Sequence, residues 1–191
     1  MDLTALIFSS GWASGVNAYA TVVVLGLLTR FTDTGSVPDA LGRTDVLVVA
    51  GAFFALELVV DKIPWIDSAW DAISTVVRPT VGAFVAWQLA GDASGVDQAF
   101  LTALGGSTAL ASHGVKTGLR LAVNTSPEPF SNIAVSTGED ITVITVVALA
   151  VAHPLIALGL SASLLLIGVV MVVLLWRVIR RARRRRQERT T

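Results

Sequence analysis

The stretch GAFFALELVVDKIPWIDSAWD (residues 51–71) decides how the chain folds. It is apolar apart from one lysine and four carboxylates, Glu57 and Asp61 before its proline and Asp67 and Asp71 after it. Residues four apart lie on the same face of a helix, so each pair shares a face. A carboxylate in apolar surroundings is costly unless something neutralises or uses it. The stretch therefore predicts two helices joined at a proline turn, each with an acidic inner face.

The composition indicates an integral membrane protein. Of 191 residues, 53% are hydrophobic and only 15% are charged, and mean hydropathy is +0.72. A soluble domain would carry about 25% charged residues. Eight of the 14 basic residues lie between Arg177 and Arg189, directly after an apolar run, and basic flanks stay on the cytoplasmic side. We expect an all-α, polytopic protein of the bacterial inner membrane with its C-terminus in the cytoplasm.

The apolar runs predict about six spans within one transmembrane domain, residues 1–176, followed by a basic cytoplasmic tail, 177–191. The spans are expected at about 12–29, 46–61, 67–90, 98–123, 130–152 and 155–176. The first span alternatively begins earlier as a broken helix, with the break among the serines and glycines between Ser9 and Gly15. Asp67 or Ser68 is expected to cap the third span. Residues 130–152 form one helix, or a short helix over 127–135 is followed by a second that begins at the capping-box motif of Ser136.

An internal repeat is indicated by a second helix–proline–helix stretch. Residues 51–68 align without a gap over residues 114–131, with six of 18 positions identical. In this alignment Glu57 falls on Arg120 and Asp61 on Asn124. Two apolar helices that end at prolines can match by coincidence. The alternative is a duplicated unit, covering residues 45–90 and 98–152, of the kind found in transporters.

The fourth span carries a polar, mainly basic stripe at spacings of three, four and four: His113, Lys116, Arg120 and Asn124. These residues lie on one helix face. Packing that face against the acidic face of the second span pairs Glu57 with Arg120 and Asp61 with Lys116.

The charges allow two interpretations, mutual neutralisation or a polar cavity that takes a proton, an ion or a solute. Six acids stand against four bases: Glu57, Asp61, Asp67, Asp71, Glu139 and Asp140 against Lys62, Arg78, Lys116 and Arg120. The excess of acids favours the cavity. Asp67 and Asp71 are the carboxylates that we expect to remain unpaired. Arg78, at helical spacing from both, would pair with acids or hold an anionic group.

Other polar residues give weaker signals. Asn17, in a glycine- and alanine-rich run, is expected to cap a helix or bond to a neighbouring one, or to mark a break that presents backbone groups to a ligand. His113 and His153 belong to no ligand set, so no metal is expected. No catalytic elbow, phosphate loop or dinucleotide fingerprint occurs, which argues against an enzyme or a nucleotide cofactor. The basic tail is expected to contact anionic lipid headgroups, not nucleic acid.

Three segments carry a resemblance to a known family: GWASGVNAYATV, ALELVVDKIPWIDSAWDAISTVVRP and SHGVKTGLRLAVNTSPEPFSN. Together they cover most of residues 9–154 and resemble the bacterial membrane-protein family DUF4126. The resemblance implies a polytopic inner-membrane protein. It carries no established activity.

The sequence therefore predicts a small transporter or channel-like protein. Its charged site, between spans 2 and 5, would take a proton, an ion or a small anionic solute. A lipid-handling protein or enzyme that uses His113, and a non-catalytic assembly subunit, are the alternatives. Six short spans enclose little volume, which favours a homo-oligomer.

Overall fold

The computed structural model describes residues 2–32, 35, 37–91, 93–123 and 129–187, with the backbone alone for 64, 65, 122, 123, 129–132 and 182–187. Within these ranges the chain is all-α and contains no strand. Its helices are α1 (Leu3–Val16), α2 (Ala18–Phe31), α3 (Thr44–Val60), α4 (Pro64–Ala90), α5 (Gly95–Val123), α6 (Pro129–Ala152) and α7 (Pro154–Gln187), with a short 3-10 helix (Asp39–Gly42) before α3.

Helix α1 lies at the centre of the bundle and packs against α4, α5, α6 and α7. Nearly every side chain from Ala5 to Val16 is buried. Glycine permits this close packing, because a Cβ on Gly11 would lie 2.7 Å from Gly105 O and a Cβ on Gly15 would overlap Ala109 O. The glycines therefore bring the backbones of α1 and α5 into contact.

The chain breaks between α1 and α2 at Asn17, whose φ of −148° and ψ of 101° are extended. The expected break between Ser9 and Gly15 is wrong, since those residues are helical. The small side chains between Ser9 and Gly15 are buried and allow neighbouring helices to pack closely, and they do not interrupt the helix. The first helix begins at Leu3, with Asp2 as its cap, which agrees with the alternative of an earlier start and a broken helix.

Two other boundaries differ from the prediction. Helix α4 begins at Pro64, because proline suits the first helical position, where no N–H partner is needed. Asp67 and Ser68 therefore lie inside the helix and do not cap it. Helix α6 is continuous from Pro129, so the discontinuous alternative divided at Ser136 is wrong. Residues 124–128 lie outside the described ranges, and the internal repeat stays a prediction.

Many large apolar side chains are exposed, while a group of charged side chains is buried. Exposed side chains include Val48, Phe53, Leu166 and Leu174, whereas Arg78 is buried. Two helical segments, Ile133–Ala152 and Pro154–Arg181, are long and apolar enough to cross a membrane. Helices α1 and α2 are apolar but shorter. Helix α7 continues beyond the last predicted span into the basic tail.

Candidate functional site at the helix break

Basic side chains cap the broken end of α1. Lys116 Nζ donates to Val16 O at 3.0 Å, and Arg78 Nη1 donates to Gly15 O at 3.4 Å. The last carbonyls of a helix have no intrahelical partner and carry partial negative charge. Cations from α5 and α4 therefore stabilise a helix end that would otherwise be costly in the interior.

Asn17 joins the break to two other helices. Its Oδ1 accepts from Ala20 N at 2.9 Å, which caps α2, and its Nδ2 donates to Asp140 Oδ1 of α6 at 2.9 Å. Both structural roles expected for Asn17 are thus confirmed. The side chain holds the start of α2 and a carboxyl group of α6 together.

The first charged group is the Arg78 cluster, which consists of Arg78, Glu57, Asp71 and His113. Arg78 Nη2 lies 2.5 Å from Glu57 Oε1, and Arg78 Nη1 lies 3.5 Å from Asp71 Oδ1. All four residues are buried. One guanidinium therefore serves two carboxylates from α3 and α4, which suits its several fixed donors.

The contacts of His113 define its protonation. Arg78 Nη1 lies 3.0 Å from His113 Nδ1, and since a guanidinium only donates, Nδ1 accepts. The ring is then neutral, with its proton on Nε2, which donates to Thr75 Oγ1 at 3.1 Å. Ser112 Oγ instead donates to Trp12 O at 2.8 Å. The serine–histidine pair that a hydrolase would need is not formed.

The second charged group is the Arg120 cluster, which consists of Lys116, Arg120, Asp61, Asp67 and Glu139. Arg120 Nη2 lies 2.6 Å from Glu139 Oε2 and 3.3 Å from Asp61 Oδ2. Arg120 Nη1 lies 3.7 Å from Asp67 Oδ2. Lys116 Nζ lies 2.8 Å from Asp61 Oδ2 and 3.5 Å from Glu139 Oε2. Two cations thus share three carboxylates.

These contacts confirm one predicted pair and correct another. Asp61 pairs with Lys116 as expected, but Glu57 pairs with Arg78 and not with Arg120. The spacing of residues indicates which face of a helix is buried, but not how far neighbouring helices slide along each other.

The expectation that Asp67 and Asp71 remain unpaired is also wrong. Asp67 lies against Arg120 and Asp71 against Arg78. The prediction assumed that each cation pairs with one carboxylate, but one guanidinium group contacts two or three. Lys62, counted as a base of the site, donates to Leu58 O at 2.6 Å. Asn124 lies outside the described residues.

Two openings reach the Arg120 cluster. A cavity of about 130 Å³ between α4 and α5 is lined in part by Asp71 and Arg120. A groove of about 330 Å³ between α1, α5, α6 and α7 is lined by apolar side chains together with Lys116 and Glu139. The Glu139 side chain is 18% exposed, whereas that of Glu57 is 1% exposed. Glu139 is therefore the carboxylate of the salt-bridge network that the groove exposes most.

Sequence reasoning missed the hydroxyl groups around the network. Thr75 lies four residues after Asp71 and donates to its carbonyl at 2.9 Å. Thr117 lies four residues after His113 and donates to Asp71 Oδ2 at 3.3 Å. Their position four residues after Asp71 and His113, on the same helix face, could have identified these threonines from the sequence. The backbone carbonyls that Lys116 and Arg78 cap could not be predicted, because a carbonyl is present whatever the side chain.

A family model described as a domain of unknown function, DUF4126, matches residues 4–179. The chain belongs to the DUF4126 family. The resemblance carried by the sequence motifs is thereby confirmed. No curated protein and no solved structure is significantly similar to the chain. What this DUF4126 chain does must therefore be argued from the site. In the described part of the chain, no three His, Cys, Asp or Glu side chains are grouped to hold a metal.

Proposed function

We propose that the chain is a polytopic protein of the bacterial plasma membrane. Support comes from the distribution of its side chains, with apolar groups such as Phe53 and Leu174 outside and Arg78 and Arg120 inside. In water this arrangement would expose apolar surface and bury charge, both at a cost. In a bilayer the exposed apolar side chains face lipid, and the charges neutralise one another in the interior.

The proposed topology has six spans. Helices α1 and α2 form the first span, broken at Asn17, and α3 to α7 form the others. A hydrocarbon core of about 30 Å needs about 20 helical residues, a length that α4, α5, α6 and α7 exceed. The arginines after Trp176 favour a cytoplasmic C-terminus. Arg180 lies 5.0 Å from the Trp176 ring centroid, an arrangement suited to contact with anionic headgroups.

We propose that this protein is a small transporter or channel-like protein. The observation that carries the proposal is the helix break at Asn17 inside a buried charge network. Discontinuous helices at the membrane midplane present their ends to ions and solutes in transporters. A network needed only for stability has no evident use for a break, since a continuous α1–α2 helix would satisfy its own backbone.

Flux across proteoliposomes tests the proposal. Protons, alkali cations, phosphate and small carboxylates are offered to vesicles that contain wild type, Glu57→Gln, Arg120→Gln or Asp45→Asn. Asp45 is an exposed control. We expect flux of one solute class that both interior variants reduce at least tenfold and the control leaves unchanged. Unchanged flux in both folded interior variants would remove these residues from the site.

A second candidate function, lipid handling, is favoured by the groove. Its apolar wall and its two charged residues, Lys116 and Glu139, suit an amphipathic molecule that enters from the bilayer. Exchange of a fluorescent phospholipid between vesicle leaflets tests this function. Exchange that depends on the protein and falls in Glu139→Gln supports it, and exchange equal to that of empty vesicles excludes it.

A further inference from the structure

Asp140 differs from the other carboxyl groups of the site. Each of the others has a lysine or arginine nitrogen within 4.0 Å. In the described part of the chain Asp140 has none, and its side chain receives only the neutral amide of Asn17, at 2.9 Å. It is nevertheless buried, with 8% exposure. A buried carboxylate without a cation is costly, and taking up a proton removes that cost.

Ser136 supplies a possible partner for such a proton. It lies four residues before Asp140, and residues at this spacing are neighbours on a helix face. The residue is 0% exposed, and its hydroxyl has no hydrogen-bond partner in the described chain. A buried hydroxyl without a partner is uncommon and calls for an explanation. A serine hydroxyl can itself donate to a carboxylate, so its lack of a partner shows that Ser136 Oγ and Asp140 are not bonded here. They can pair only after one of the two side chains changes rotamer.

The charged groups around Asp140 are few. Lys116 faces it from α5, and Asp61 and Lys62 face it from the end of α3. Glu139 precedes it on α6. Residues 3–16 of α1 and 154–176 of α7 carry no charge. Lys116 is committed to Asp61 and to Val16 O, so it does not neutralise Asp140 directly.

We propose that Asp140 takes up and releases a proton in the working cycle, an inference that rests on the proposed transport function and names its coupling ion. A proton from water bonds to Oδ2 and leaves a neutral carboxyl group. Oδ1 still accepts from Asn17, and the new O–H donates to Ser136 Oγ once one of these two side chains has changed rotamer. Release returns the proton to water. As the Oδ2–H bond forms, one O–H bond of a hydronium ion breaks and leaves water, and release reverses this exchange.

Protonation at Asp140 acts on the helix break through Asn17. A hydrogen bond to a carboxylate is stronger than one to a neutral carboxyl group. Protonation of Asp140 therefore weakens its hydrogen bond to Asn17, the residue that caps α2. The side chain of Asn17 thus couples the protonation state of Asp140 to the helix break.

The same geometry argues against an anion or a metal cation at this point. Lys116, Arg78 and Arg120 already donate to carboxylates or carbonyls, so an anion would have to displace them. The carbonyls of Gly15 and Val16, which could coordinate a dehydrated metal cation, accept from Arg78 and Lys116.

Infrared difference spectroscopy of the reconstituted protein between high and low pH tests the protonation itself. Wild type should gain a C=O band of a protonated carboxyl group that is absent from Asp140→Asn and present in Asp45→Asn. A band that persists unchanged in Asp140→Asn overturns the proposal. If Asp140→Asn fails to fold, Ser136→Ala decides, because loss of a hydrogen bond should move the band to higher frequency. An unmoved band contradicts the inferred pairing.

Proton uptake into vesicles under a membrane potential, read by an enclosed pH dye, separates this inference from the proposed function. We expect uptake at least tenfold slower in Asp140→Asn and unchanged in Asp45→Asn. Unchanged uptake in folded Asp140→Asn overturns the inference but leaves transport standing. No wild-type flux of any solute, together with the Asp140 infrared band, contradicts transport but leaves the protonated carboxyl group.

Discussion

The Arg78 cluster and the Arg120 cluster contain the same chemical groups in different surroundings. In the first, one guanidinium serves two carboxylates whose side chains are at most 4% exposed. In the second, two cations share three carboxylates, and Glu139 faces a groove. In the first, the only other nearby cation is Lys116, whose Nζ lies 4.0 Å from Glu57 Oε1, whereas in the second Asp61 and Glu139 each contact two cations. The comparison suggests that the Arg78 cluster stabilises the bundle and that the Arg120 cluster can rearrange.

Removal of Arg78 should have the largest effect. Arg78→Leu removes the cation that contacts Asp71, leaves Glu57 with only Lys116 at 4.0 Å, and uncaps Gly15 O. Loss of one partner of a buried ion pair costs about 3–5 kcal/mol. Thermal unfolding in detergent measures the loss, with Arg43→Leu, at an exposed pair, as the control. A melting midpoint equal to wild type would show that this cluster does not stabilise the fold.

Removal of Lys116 should cost less, although it is equally buried. Lys116→Met leaves Val16 O without its donor, but Asp61 keeps Arg120. Loss of a hydrogen bond to a charged group costs about 1.5–3 kcal/mol. The same unfolding experiment ranks the two variants. A larger loss for Lys116→Met than for Arg78→Leu would reverse the comparison between the clusters.

Glu57→Gln and Glu139→Gln form a matched pair, one in each cluster. Glu139 is partly exposed, and its partners Arg120 and Lys116 keep Asp61 when it is neutralised, so Glu139→Gln should lower the melting midpoint only slightly. Glu57→Gln should cost more, because Arg78 then faces one carboxylate instead of two. Equal destabilisation by the two variants would mean that exposure to the groove does not distinguish the clusters.

The exposed pair of Arg43 and Asp45 should show the smallest effect. A hydrogen bond from Arg43 lowers the pKa of Asp45 below its ordinary value. Any stability from this pair is present above the ordinary pKa and is lost as pH falls through the lowered one. Arg43→Ala should raise the pKa of Asp45 in an NMR titration. An unchanged pKa would mean that the pair does not persist in solution.

Much of the site could be predicted from helical spacing. The faces that carry Asp67, Asp71 and Arg78, and His113, Lys116 and Arg120, are buried as expected, because charge on an apolar helix is stable only inside the bundle. Asn17 was also recognisable, since a lone amide in an apolar run needs a partner. Among the described residues, only α6 and α7 contain helical segments long and apolar enough to cross a membrane. Helices α1 and α2 are apolar but short, and α4 and α5 carry charges of the network.

The remaining features depend on tertiary placement. Whether Glu57 meets Arg78 or Arg120 depends on how α3, α4 and α5 cross, which the residue pattern does not determine. The hydrogen bonds that stabilise the end of α1 at the break come from Lys116 and Arg78, which are distant from Asn17 in sequence. No local signal marks the carbonyls that they cap.

The central claim, that the broken helix lies at a working site reached by water, can be tested with cysteine. The chain has no cysteine, so one introduced thiol is read without background. Ser136→Cys lies beside Asp140, and Ala150→Cys is a control at an equally buried position of α6. A small hydrophilic thiol reagent should modify Ser136→Cys in the membrane and leave Ala150→Cys unmodified. If Ser136→Cys is as inert as Ala150→Cys, the charges form a sealed structural core and the account is wrong.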